Sequence, residues 1–272
     1  YNDANTRMLD LNGDGMPDIL ITQERIFTYY EAKGTEGYGQ AKTTTHPLDE
    51  NKGPSVVFAD SKQSIFLADM SGDGMVDIVR IRNKDICYWP NVGYGKFGAK
   101  VTMSDAPLMD RADQFNPAYI HLSDISGTGA SDIIYLGKNQ FRAWLNLSGN
   151  GWSKEQGISP FPQSELPNTL SVIDLLGNGT SCLVWSSPLP QYSNSPMRYI
   201  DLMGGNKPYL MKQYDNSAGK QVKLTYKSST HYYLEDKKKG TPWITKLPFP
   251  VHCVQKTETK ILAIINAIVY PL

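Results

Sequence analysis

The 272-residue chain has no excess of charge of either sign: 27 Lys and Arg are matched by 27 Asp and Glu, for a formal net charge of zero. A balanced surface provides no bulk field to gather nucleic acid or an anionic membrane, so neither is expected as a principal partner. Cysteine is scarce. The three present, Cys87, Cys182 and Cys253, are far apart and form no CxxC pair of the kind that would suggest zinc or dithiol chemistry, and all three are expected to be buried small hydrophobes. Histidine is scarce too: His46, His121, His231 and His252 sit in unrelated contexts, none within a GxSxG-like or HExxH-like frame, so no acid-base constellation is spelled out and no enzyme is expected. No apolar run reaches bilayer length; the longest, from Ile261 to Leu272, is too short to span. The chain opens Tyr1-Asn2-Asp3-Ala4 with neither a basic nor an apolar leader, and it is expected to be a piece of a longer protein with further repeats before it.

What the chain does have is one sentence written four times. The stretch Asp10-Leu11-Asn12-Gly13-Asp14-Gly15-Met16-Pro17-Asp18 puts oxygen-bearing side chains at alternating positions and then enters an apolar strand. It returns as Asp69-Met70-Ser71-Gly72-Asp73-Gly74-Met75-Val76-Asp77, more weakly as 124–132, and as 174–182, where little of the acid survives. The first Asp falls at 10, 69, 124 and 174, a period suited to one supersecondary unit per copy. Each copy is followed by β-branched and aromatic strands such as Ile19–Thr22 with Ile26–Tyr30, or Asp77–Ile81 with Ile86–Trp89, and then by glycines. Trp89 and Trp144 hold equivalent places, each two residues before an Asn, Asn91 and Asn146. Within the repeats no segment has helix length and helix period. The expected fold is all-β, with units of the size of propeller blades over 1–205. A different region starts near 206, where Tyr209–Tyr214 and Gln221–Tyr226 flank a polar turn and read as a long hairpin, and Lys237-Lys238-Lys239-Gly240 reads as a solvated loop tip. From 259 to 272 the polar alternation gives way to an apolar tail that reads as atypical for what precedes it.

Calcium needs six to eight hard oxygens, and a tight Gly-containing turn with acids at alternate positions can wrap them round one point. Loop one offers Asp10, Asn12, Asp14, Asp18 and the Met16 carbonyl; loop two offers Asp69, Ser71, Asp73, Asp77 and Met75. The competing reading is that these side chains make Asx turns, binding their own backbone two residues on. For loops three and four, with Thr128 in the central place and only Asp174 and Asn178 left in the fourth, the Asx reading is the expected one.

The four loops resemble FG-GAP or VCBS repeats, which the resemblance implies are propeller blades with calcium loops, as in integrin α chains. A closer likeness rests on 68–80 with Tyr88-Trp89-Pro90-Asn91, and on Tyr232-Tyr233-Leu234-Glu235-Asp236 with 240–251. These stretches resemble the B component of bacterial insecticidal toxin complexes and the N-terminal region of the Salmonella plasmid virulence B protein. The resemblance implies a secreted, noncatalytic propeller that docks on and gates toward a pore-forming A component, with 206–258 as the first strands of a shell built with a C component. A calcium-dependent adhesion propeller is the rival reading.

Overall fold

The computed structural model describes residues 3–23, 26–60, 62, 64–137, 140–158, 170–245, 247 and 249–261. Parts of the turns expected at Gln23-Glu24 and at Gly137-Lys138-Asn139, and the apolar tail beyond Ile261, lie outside the described residues. The fold is all-β and antiparallel. The chain divides into two compact units, 1–173 with 183–200 and 174–182 with 201–272, so the fourth repeat loop is counted into the second unit.

In the first unit each of the first three repeats forms one four-stranded sheet whose spatial order is its sequence order. These are β1 (Thr6–Leu9), β2 (Asp18–Thr22), β3 (Ile26–Tyr30) and β4 (Lys42–Thr45); β5 (Ile65–Ala68), β6 (Asp77–Arg82), β7 (Asp85–Trp89) and β8 (Val101–Thr102); and β9 (Ile120–Ser123), β10 (Asp132–Leu136), β11 (Phe141–Trp144) and β12 (Gln156–Ile158). Strand β1 leads into loop one, and all four of its residues pair with β2. A three-stranded sheet of β13 (Leu170–Ile173), β14 (Cys182–Ser186) and β15 (Met197–Asp201) follows.

Alternation along the second sheet explains how the repeats hold together. Side chains of a strand point to opposite faces in turn. In β6 and β7, Ile78, Cys87 and Trp89 enter a core with Leu9, Leu20 and Phe27 of the first repeat. Their neighbours Val79, Ile81, Ile86 and Tyr88 enter a separate core with Ile133, Tyr135 and Trp144 of the third. The sheet is therefore apolar on both faces, and β6 lacks the in-out polarity of a strand with one wet face. Burying Trp89 completely contributes on the order of 2–3 kcal/mol by area alone.

The second unit contains β16 (Gln213–Asp215), β17 (Lys220–Ser228) and β18 (His252–Ile261) in one sheet, and α1 (Ser229–Lys238). The hairpin turn falls where expected, but its first strand is short: it runs from Gln213 to Asp215, so of the anticipated 209–214 run only Gln213 and Tyr214 belong to it. The basic run is not a loop tip. Lys237 and Lys238 close the last turn of α1, where cations suit the negative end of the helix dipole, and Gly240 follows at φ +83°. Ser228 caps the other end by accepting from the His231 amide. Cys87 and Cys182 are buried as expected, but Cys253 on β18 is exposed. Among the described residues no helix is long and apolar enough to cross a membrane.

Candidate functional site

The four repeat loops are built by the same backbone device. The first Asp of each loop turns its carboxylate inward onto the amides of its own turn. In loop one Asp10 Oδ1 accepts from Gly13 N and Oδ2 from Gly15 N, both at 2.7 Å. Asp69 does the same with Gly72 and Gly74 at 2.7 Å each, Asp124 with Gly127 and Gly129 at 2.6 and 2.9 Å, and Asp174 with Asn178 and Gly179 at 3.1 and 2.8 Å. The glycine pair in loop one lies at φ +79° and +81°, a conformation that lets the amides converge and that L side chains resist. The central residue closes the turn from the other side: Asp14 accepts from Met16 N and Asp73 from Met75 N at 2.8 Å, and Asn178 accepts from Thr180 N at 3.0 Å.

The last Asp of each loop is the buried one. Asp18, Asp77 and Asp132 are all fully inaccessible, and each joins its own loop to the segment just past the following strand. Asp18 accepts from Leu11 N at 3.1 Å and Ala32 N at 2.7 Å; Asp77 from Met70 N and Asn91 N, both at 2.9 Å; Asp132 from Ile125 N at 2.8 Å and Asn146 N at 2.7 Å. Burial raises the pKa of all three carboxyls, that of Asp77 to about 6, against the opposing pull of the amide donors. In the fourth loop Cys182 takes this place, with the Leu175 and Leu176 amides directed at its sulfur and its thiol pKa pushed up by burial.

The expected calcium ligands are therefore ordered as backbone caps. Asn12 lies within this web, donating from Nδ2 to Asp14 at 3.0 Å and accepting from Asp14 N at 3.0 Å, while Ser71 donates to Asp69 at 3.5 Å. Among the described residues no group of three or more His, Cys, Asp or Glu side chains could hold a metal ion. As placed, Asp10, Asn12, Asp14, Asp18 and Met16, and Asp69, Ser71, Asp73, Asp77 and Met75, lie within the hydrogen-bonded turns that the Asx reading describes.

Contacts between repeats run through these loops. Tyr94 N donates to Leu11 O at 3.0 Å, and Asn146 Nδ2 to the equivalent Met70 O at 2.9 Å, so the second and third repeats each bind the loop of the one before. The side chains beside these links face out: Val92 is 61% exposed, Tyr94 60% and Leu147 52%. This apolar rim next to the hydrogen-bonded loops was not anticipated; the paired Asn91 and Asn146 marked the position, but not its exposure. Glu50 was missed as well. It accepts from Arg80 at 2.8 Å and Lys100 at 2.7 Å, while its carbonyl takes the Trp89 indole at 2.7 Å. Lys100, then Arg80, holds its carboxyl down at about 2. The sequence carries no pattern that finds Glu50, which lies in a long connection outside the repeat.

Residues 146–261 match the family described as insecticide toxin TcdB, middle/N-terminal region. A solved Photorhabdus luminescens Tc holotoxin pore matches 96% of this chain at 28% identity with a TM-score of 0.78. The likeness is to a toxin-complex B component. A TcdB2-TccC3 complex matches over the same share at 19% identity and a TM-score of 0.65, a likeness of fold. A lectin of Agrocybe aegerita that recognises non-reducing terminal N-acetylglucosamine shares the fold over 66% of this chain at 23% identity and a TM-score of 0.50. No curated protein sequence matches. The B-type region spans a small part of the assemblies it resembles: 12% of the holotoxin-pore chain and 17% of the TcdB2-TccC3 chain.

Proposed function

We propose that this chain is a noncatalytic docking region of an extracellular toxin-complex B component. Its repeats serve as propeller blades of the FG-GAP type that seat on a pore-forming A component and gate toward it, and its second unit begins the shell shared with a C component. The observation that carries this reading is the 28% identity over 96% of the chain to a holotoxin pore. The loops suit the role physically. Their amides are satisfied within the loop, so they lose little freedom when a partner covers them, and the Val92, Tyr94 and Leu147 rim supplies apolar area beside them.

Binding of the full-length B component to the A pore, followed by biolayer interferometry, tests the reading. Val92→Asp with Leu147→Asp is expected to weaken binding at least tenfold, while charge changes on the exposed β4 edge, such as Thr43→Glu, leave it unchanged. Undiminished binding after removal of residues 1–200 would overturn the docking role. Retained adhesion to host cells by that region alone would then favour the adhesion reading.

A further inference from the structure

The second unit, within a chain of zero net charge, collects cations around one cleft of about 710 Å3. Lys207, Lys212, Lys223 and Lys227 line it, together with His231 and His252. One acid, Glu258, shares the lining, and it is engaged with Lys256 at 2.9 Å. Register explains part of the grouping. Lys223 on β17 lies opposite Glu258 on β18 and Thr225 opposite Lys256, so Lys223 and Lys256 emerge on the same sheet face at adjoining rungs. Lys207 is fixed by donation to Gly179 O at 2.8 Å, and Lys227 Nζ stands 3.0 Å from His231 Nε2.

Four ammonium groups with one acid among them leave the lining cationic, which favours an anion there. The volume is that of a small-molecule site. The cations are ammonium groups, point charges that accept tetrahedral oxyanions without the planar fork that a carboxylate pair selects. We propose that this cleft binds a small polyanion bearing two or more phosphate or sulfate groups. The site lies within the second unit and does not depend on the function proposed above.

Calorimetric titration of the whole chain with inorganic tripolyphosphate, and in parallel with a sulfated disaccharide, tests the assignment at low ionic strength. One-to-one binding is expected, with affinity falling as salt is added. The tighter of the two probes identifies the group. Lys212→Gln with Lys223→Gln, both at exposed positions, is expected to weaken it at least roughly tenfold. Lys96→Gln with Lys154→Gln removes the same charge from the first unit and is expected to change nothing. Absence of binding, equal loss in both double variants, or tighter binding of a poly-glutamate peptide than of either probe would overturn the proposal.

Discussion

At the scale of single residues, the first Asp of the loop, which accepts from two amides of its own turn, is kept in all four copies, whereas the central and last places change to Thr128, Asn178 and Cys182. Removing the buried carboxylate of Asp77 leaves the Met70 and Asn91 amides without their acceptor in a site that water does not reach. Asp77→Ala is therefore expected to cost about 2–4 kcal/mol in urea unfolding, against under about 1 kcal/mol for Asp14→Ala, whose contacts are exposed. Asp77 also sets a pH dependence of unusual sign. Its folded pKa, about 6, lies above the ordinary 3.8, so between those values the folded chain binds more protons than the unfolded one. Its contribution is most favourable below pH 4 and declines as the pH rises through 6. Glu50 runs the other way: its stabilisation is present above about pH 4.5 and is lost as the pH falls toward 2. Subtracting the stability profile of Asp77→Asn from that of the parent is expected to leave a decline between pH 4 and 6; a flat difference would refute the assignment.

At the scale of elements, the loops are expected to stand without a metal. Thermal unfolding in millimolar calcium and in chelator is predicted to give the same midpoint, and Asp10→Ala to lower it equally in both. A calcium-dependent rise abolished by Asp10→Ala would decide for the cation reading, since a ligand bound only by the folded state raises stability. Spacing alone could not decide between these readings, because an Asp that wraps a cation and an Asp that wraps amides need the same turn. The strands were legible for a related reason: runs such as Asp77–Ile81 and Phe141–Leu145 combine β-branched and aromatic residues between turn signals. Helix α1 was not legible. Its Tyr232, Tyr233 and Leu234 are adjacent and carry no helical period, and its start is marked by a Ser cap in a run of small polar residues. The buried role of Asp18, Asp77 and Asp132 was hidden too, since burial of an acid depends on amides fourteen residues away that only the sheet brings near.

At the scale of the whole molecule, the second sheet serves two cores at once, with Ile78 in one and Val79 in the other. Ile78→Ala and Val79→Ala are each expected to cost about 1–4 kcal/mol in chemical denaturation, and both are expected to leave a single unfolding transition across the first three repeats. Two separate transitions would show that the cores melt independently. A sheet of this kind makes the repeats behave like links coupled to their nearest neighbours, in which order spreads along the chain from any properly seated pair. Excising the second repeat would then open two apolar walls at once, one on each neighbour, so its loss could not be absorbed locally.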